Sequence, residues 1–82
     1  MTRVILGREL GRRFAGGQSE VEADAPTVRA LVGLLEDRFP GIGSELRSGM
    51  AVAIDGEIHA DPYLESLDGV DEVCFLPPIG GG

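Results

Sequence analysis

The residues with the clearest chemical meaning are the last six of the chain, Pro77-Pro78-Ile79-Gly80-Gly81-Gly82. Glycine has no side chain, so a glycine segment can pass through a channel that is too narrow for other residues. The two prolines favour an extended path, because each fixes φ near about −65°. At roughly 3.1 Å per residue, six extended residues span about 19 Å. We therefore expect this segment to carry the carboxylate of Gly82 into the active site of another protein.

Few other residues could do chemistry. Cys74 is the only cysteine, which excludes an internal disulfide and an iron–sulfur cluster with four thiolate ligands. A lone strand cysteine is usually a small apolar filler, and we interpret Cys74 in that way. His59 has no second histidine or cysteine at ligand spacing, so we expect no metal site. Neither residue therefore predicts a redox or metal site.

Size and charge narrow the possible partners. The chain has 82 residues, which suits one domain with a small core. Its net charge of −7 argues against nucleic acid as a partner and favours partners with basic surfaces. All seven basic residues are arginine. Without a lysine, the chain offers no side-chain amine for conjugation. Neither a membrane-spanning run nor a secretory signal is recognisable, so we expect a cytoplasmic protein.

The N-terminal part of the sequence predicts two strands joined by a glycine-rich connection. Residues 3–6 and 19–23 alternate between the two faces of a strand. Residues 7–17 contain four glycines, which are typical of turns. We expect a hairpin connection here, with Leu10 and Phe14 buried beneath it.

One helix follows these strands. Thr27 is the expected N-cap, with Asp24 as the alternative, and Pro40-Gly41 should end the helix because proline cannot continue it. Apolar residues recur at helical spacing in between, so one face of the helix should be buried. The residues of this stripe are Val28, Leu31, Leu35 and Phe39, widened by Val32 and Leu34.

The next segment predicts a hairpin. Residues 41–49 read as a connector with a short turn near residues 45–47, and residues 50–54 read as a strand. Asp55-Gly56 is a strong signal for a two-residue turn, after which residues 57–60 should pair back.

The C-terminal part predicts a loop and a last strand. Leu64 and Leu67 are expected to fasten the loop to the core. Residues 72–76 read as a strand with two inward apolar residues. Its outward Cys74 should lie beside Ile5 on an open face of the sheet.

The order of the elements predicts the fold class. Two strands, a helix, two strands and a last strand indicate an α+β protein with a mixed four- to five-stranded sheet. A single main helix can cover only one face of that sheet, and the most apolar strands, the first and the last, should be central. This arrangement is a ubiquitin-like β-grasp fold. We expect residues 1–76 to form this domain and residues 77–82 to form a flexible C-terminal glycine tail.

Several segments carry a resemblance to a known family. They are Thr27-Val28 at the helix start, Ala53-Ile54-Asp55-Gly56-Glu57 at the hairpin, and Asp71-Glu72-Val73 leading into Phe75-Leu76-Pro77-Pro78-Ile79 and the glycines. With these segments the whole chain resembles the ubiquitin-like sulfur carriers, and most of all the small subunit of molybdopterin synthase. An aromatic-apolar pair, a double proline, an aliphatic residue and closing glycines are the most specific part of this resemblance.

The resemblance implies a sulfur-transfer cycle. A ubiquitin-activating-type enzyme would use ATP to adenylate the carboxylate of Gly82, which follows Gly81, and a sulfur donor would convert the product to a thiocarboxylate. The carrier would then insert its tail into a larger synthase subunit and donate the sulfur to a precursor of the molybdenum cofactor. ATP would be used by the activating enzyme, with no cofactor bound to this chain, and the catalytic groups would belong to its partners. The residues expected to contact the partner are Leu76, Pro77, Pro78, Ile79 and Gly80.

Other functions fit the same sequence. The sulfur could be destined for thiamine or cysteine biosynthesis. The chain could also be a ubiquitin-like modifier whose Gly82 forms an isopeptide bond with a lysine of another protein. A third reading is a β-grasp interaction domain without covalent chemistry, whose glycine end is an ordinary frayed terminus.

Overall fold

A computed structural model of the chain describes residues 2–47, 51–59 and 62–76. Five strands and three helices lie within these residues. In chain order they are β1 (Thr2–Ile5), α1 (Gly7–Phe14), β2 (Glu20–Ala23), α2 (Val28–Arg38), α3 (Ile42–Leu46), β3 (Ala51–Ile54), β4 (Glu57–His59) and β5 (Glu72–Leu76). Among these described residues, no helix is long and apolar enough to cross a membrane.

The five strands form one mixed sheet in the order β2-β1-β5-β3-β4. β1 and β5 are parallel neighbours, whereas the other three pairs of strands are antiparallel. The first and last strands therefore lie inside the sheet, as their apolar character predicted. The expected α+β fold with a mixed sheet is confirmed.

The main helix covers one face of the sheet. Thr27 is its N-cap, as predicted, and the Thr27 hydroxyl accepts a hydrogen bond of 3.2 Å from the Ala30 amide. The alternation of strand residues brings one side of each strand toward this helix. The buried apolar residues of α2 and the sheet are Val28, Leu31, Val32 and Leu35 from the helix, and Val4, Val21, Ala23, Val52, Ile54, Val73 and Phe75 from the strands.

The connection over residues 7–17 joins the antiparallel strands β1 and β2, as predicted, but most of it forms α1, a helix that the sequence did not predict. Leu10 and Phe14 are four residues apart and therefore lie on the same side of a helix. Leu10 is buried and Phe14 packs partly buried against the core. Gly11 lies within the helix, and this position requires glycine because a Cβ there would collide with the carbonyl oxygen of Gln18. A close contact with the following loop explains this glycine, which from the sequence looked like a turn signal.

The connector after α2 also contains more helix than predicted. The short turn expected near residues 45–47 is α3, which starts at Ile42. The Glu36 carboxylate accepts hydrogen bonds from the amides of Gly41 (2.9 Å) and Gly43 (2.7 Å), so α2 itself holds the start of α3. Ile42 and Leu46 are buried and extend the core.

Of the two leucines expected to fasten the 62–67 loop, only Leu67 does so. Its side chain is buried, and its amide donates to the Pro26 carbonyl at 2.9 Å. Leu64 is 86% exposed, so the prediction that it packs on the core is wrong. The carbonyls on either side of it, at Tyr63 and Glu65, accept hydrogen bonds from the first amides of α2. The loop is therefore fastened through its backbone at this point, and the Leu64 side chain is left in solvent.

The turn between β3 and β4 is the one predicted. Asp55 and Gly56 both have positive φ, at 48° and 87°, which a two-residue hairpin turn of this kind requires. The Asp55 carboxylate also accepts hydrogen bonds from the amides of Asp71 and Glu72. The turn is thereby joined to the start of β5.

Candidate docking face and tail base

The structure describes one of the seven residues predicted to form the site. Leu76 is half-buried and is the last residue of β5. The other predicted residues, Pro77, Pro78, Ile79, Gly80, Gly81 and Gly82, lie outside the described residues. The site can therefore be described up to the base of the tail, which is the C-terminal end of the central strand β5.

A row of apolar residues crosses the sheet on the face that points away from α2. Ile5 lies opposite Cys74, Cys74 opposite Ala53, and Ala53 opposite Ile58. The first three are half-buried, and Ile58 is 67% exposed. The predicted proximity of Ile5 and Cys74 on an open face is confirmed.

A second apolar pair lies beside this row. Leu76 is opposite Ala51, two residues further along β5 from Cys74. We call these residues together the apolar half of the outer face, comprising Ile5, Ala51, Ala53, Ile58, Cys74 and Leu76. Because β5 runs from Glu72 to Leu76, the apolar half lies on the side of the sheet from which the tail continues.

The opposite side of the outer face is charged. Arg3 lies opposite Glu72 on one neighbouring strand and Glu22 on the other, and its guanidinium hydrogen-bonds to Glu72. Glu20 is 3.7 Å away from the same guanidinium. The hydrogen bond and charge of Glu72 raise the pKa of Arg3 above its ordinary value. We call Arg3, Glu20, Glu22 and Glu72 the charged half of the outer face.

The surroundings of Cys74 favour an unreactive thiol. Burial raises the pKa of this thiol, and the negative charge of Glu72 raises it further. A raised pKa leaves less of the thiolate, which is the nucleophilic form. The local chemistry agrees with our interpretation of Cys74 as a small apolar residue.

His59 lies between two carboxylates without forming a metal site. Its Nε2 atom is 3.1 Å from Glu57, and its Nδ1 atom is 4.0 Å from Glu65. The two carboxylates thus approach different ring nitrogens and do not converge on one point. Within the described ranges, no group of three or more potential ligands could hold a metal ion.

The helix that the sequence reading missed, α1, also lies at the tail base. β1 ends at Ile5, which is the parallel partner of Cys74, and α1 begins two residues later at Gly7. α1 therefore starts at the end of the sheet from which the tail continues, and it lies beside β5. The sequence contained a signal for this helix in the spacing of Leu10 and Phe14, but four glycines obscured it.

The profile of the ThiS family matches residues 10–82, which is most of the chain. The chain belongs to the ThiS family. This match confirms the family predicted from the sequence, the ubiquitin-like sulfur carriers. A curated relative, the molybdopterin synthase sulfur carrier subunit of Pyrenophora tritici-repentis, is 32% identical over 72 residues, covering 84% of this chain and 77% of that protein.

Two solved structures resemble this ThiS-family chain. The Mycobacterium tuberculosis protein CysO, described as an antigen, superposes with a TM-score of 0.83 at 21% identity, covering 96% of this chain and all of that one. A chain from the Amycolatopsis orientalis BexX/CysO complex superposes with a TM-score of 0.74 at 25% identity, covering both chains completely. The CysO superposition supports the β-grasp fold.

Proposed function

We propose that this ThiS-family chain carries sulfur as a thiocarboxylate on Gly82, most specifically as the small subunit of a molybdopterin synthase. The observation that carries this proposal is the position of the apolar half, which lies next to the base of a Pro-Pro-Ile-Gly-Gly-Gly segment. An exposed apolar patch beside a reactive tail suits a protein that docks first and then delivers its tail.

The chemistry requires activation from outside. A carboxylate is a poor electrophile, so a ubiquitin-activating-type enzyme would use ATP to convert Gly82 to an acyl-adenylate, releasing pyrophosphate. Sulfur from a donor would then replace AMP on the acyl carbon. Gly81 and Gly82 leave that carbon unhindered, and the sulfur remains covalently held until the acceptor takes it.

The outer face and the tail would both contact the partner, in different ways. The apolar half would bury Leu76 and its neighbours against the partner, because apolar anchors are typical of interface centres. Residues 77–80 would then guide the tail into the partner's active site, with the prolines limiting its conformations. The same surface could serve the activating enzyme and the larger synthase subunit in turn.

The pathway that receives the sulfur is the most specific part of the proposed function. The Pyrenophora tritici-repentis relative is named as a molybdopterin synthase subunit, which supports the molybdenum cofactor pathway. The likeness to a chain of a BexX/CysO complex is compatible with another acceptor. Sulfur transfer for cysteine or thiamine biosynthesis is therefore the alternative to test.

The intact mass of the protein from its native host tests the central claim. We expect a fraction that is heavier by the replacement of one oxygen by sulfur, located in the C-terminal peptide. A variant without Gly82 should lose this heavier fraction and keep its thermal unfolding midpoint. Gly33→Ala, a glycine change in α2, should retain the heavier fraction.

Two results would contradict the proposal. A variant that lacks Gly82 and still transfers sulfur would exclude the thiocarboxylate at this residue. Gly82 recovered in isopeptide bonds to lysines of other proteins, without a thiocarboxylate fraction, would indicate a protein modifier instead.

A further inference from the structure

β2 is an outer strand of the sheet, so one of its two sides has no neighbouring strand. The amide of Leu6 donates to the carbonyl of Ser19 at 2.8 Å, which makes these two residues a hydrogen-bonded pair between the ends of β1 and β2. Such pairs alternate along an antiparallel ladder, and Glu20 and Glu22 therefore occupy the positions that are not bonded to β1. Their backbone amides and carbonyls are directed toward the open side of β2.

Two further hydrogen bonds agree with this arrangement. The amide of Arg3, which lies opposite Glu22, donates to the Asp71 carbonyl at 2.9 Å, on the other side of β1. The Glu22 carbonyl accepts a hydrogen bond of 2.8 Å from the Arg38 guanidinium instead. No hydrogen bond joins the Glu20 amide, the Glu20 carbonyl or the Glu22 amide to another residue that the structure describes. A groove of about 420 Å³ follows this open side and is lined by residues 18–22.

Arg38 covers part of the open side of β2. It lies in the last turn of α2, and its guanidinium reaches the Glu22 carbonyl at the edge of the sheet. The guanidinium carbon lies 5.4 Å from the centre of the Phe39 ring, a cation–π contact that helps to hold it in place. A strand added beside β2 would need the same carbonyl, so it would have to displace Arg38.

Glu20 and Glu22 oppose one particular added strand, which is the β2 strand of a second copy of the chain. Both side chains are exposed on the outer face. Antiparallel pairing of two β2 strands through their open sides, centred on Val21, would place Glu20 of each copy opposite Glu22 of the other. Like charges directly opposite each other on a sheet are destabilising. The nearby Arg3 would relieve this repulsion little, because it already bonds to Glu72.

We propose that β2 is a latent self-pairing edge, and that Arg38, Glu20 and Glu22 together prevent it from pairing with β2 of a second copy. Unpaired outer strands are templates for association between chains, and proteins block them with charges or covering groups. A second copy is the partner excluded, because its β2 carries the same open backbone groups and the same carboxylates. Glu20 lies opposite Ile5 of the apolar half, so the block also keeps a second copy away from the docking face.

Sedimentation velocity on the full chain tests this proposal. The triple variant Glu20→Thr/Glu22→Thr/Arg38→Ala removes the two carboxylates and the covering guanidinium, and threonine suits a strand. Its mass should rise with protein concentration from the 8.6 kDa of one chain toward twice that value, whereas the wild type should remain at 8.6 kDa. The double variant Glu20→Thr/Glu22→Thr, which keeps Arg38, should associate more weakly. In the associated state, the amides of residues 20 and 22 should become protected from hydrogen exchange.

Two control variants identify the surface that associates. Replacing Glu22→Thr by Glu22→Pro in the triple variant removes an amide that is not bonded to β1, and proline is tolerated on the open side of an outer strand. This proline variant should therefore remain monomeric. Arg29→Ala/Asp37→Ala/Asp68→Ala also removes two carboxylates and one arginine, at exposed positions outside β2, and should remain monomeric too. Circular dichroism and the thermal midpoint of each variant verify folding.

Three results would overturn the proposal. The first is a folded triple variant that keeps the mass of one chain at every concentration. The second is a control variant that associates as strongly as the triple variant, because the contact would then lie elsewhere or follow net charge. The third is a wild type that already forms dimers with protected amides at residues 20 and 22. If the triple variant does not fold, the double variant takes its place, and its failure to associate would contradict the proposal. None of these measurements involves Gly82, so the proposed function is tested separately.

Discussion

Single glycines in this chain have different structural roles. Gly11 lies in α1, where a Cβ would collide with the Gln18 carbonyl oxygen. Gly33 lies in the middle of α2, and a Cβ there would meet no atom within 4 Å. Both glycines lie in helices, so only their surroundings show that Gly11 is required and that Gly33 is replaceable.

We expect Gly11→Ala and Gly33→Ala to shift stability in opposite directions. Gly11→Ala should lower the free energy of unfolding by about 1–3 kcal/mol, because the loop backbone must move to admit the methyl group. Gly33→Ala should raise it by up to about 1 kcal/mol through helix propensity. Urea denaturation measures both. A stable Gly11→Ala variant would show that the 15–19 loop can move away at little cost.

At the scale of elements, the junction between α2 and α3 depends on one carboxylate. Glu36 accepts hydrogen bonds from the amides of Gly41 and Gly43, and these bonds lower its pKa below the ordinary value of 4.5. The Gly43 position is tight, because a Cβ there would lie 2.6 Å from the Glu36 Oε1 atom. The side chain thus acts as a cap for α3, which begins six residues later in the sequence.

The lowered pKa of Glu36 predicts an acid-dependent contribution to stability. A carboxylate with a lower pKa in the folded state stabilises the fold above its unfolded pKa and loses that contribution as pH falls through the folded pKa. Glu36→Gln should therefore be less stable than wild type at pH 7, and the difference should narrow below the ordinary pKa of 4.5. Urea midpoints from pH 7 to pH 3 measure this gap. Asp37→Asn, an exposed neighbour, is the control, and a gap for Glu36→Gln that does not change with pH would contradict the prediction.

At the scale of the whole molecule, the outer face is divided into two chemically different halves. The apolar half lies toward the tail. Arg3, Glu22 and Glu72 of the charged half lie toward the other end of the strands, and Glu20 lies beside Ile5 on β2. The opposite face is covered by α2 and forms the core. Folding is thus supported by one face, which leaves the other free for partners.

The division of the outer face predicts where substitutions affect function. Ala53→Arg would place a long charged side chain between Cys74 and Ile58, so it should weaken partner docking and raise the KM for adenylation about tenfold or more. The thermal midpoint should change little because Ala53 faces away from the core. Glu22→Gln in the charged half changes the net charge equally and should leave the KM near wild type. Equal effects of the two variants would exclude the apolar half as the docking face.

Local patterns predicted much of the fold. Thr27 caps α2, Asp55-Gly56 forms the hairpin turn, and the alternation of β5 assigns Cys74 to the outer face. Each of these features depends on a few neighbouring residues, and their side chains favour one backbone geometry. The family resemblance rested largely on the C-terminal segment, and the ThiS-family match bears it out.

The sequence by itself determined the strand pattern, the main helix, the lysine-free composition and the glycine-rich segment that suggested sulfur-carrier chemistry. Only the tertiary structure decided that residues 7–14 are helical and that Leu64 faces solvent. α1 depends on contacts with Gln18 and Glu45, and its position beside β5 depends on the parallel pairing of β1 with β5. These contacts join residues that are distant in the chain, and local propensity carries no information about them.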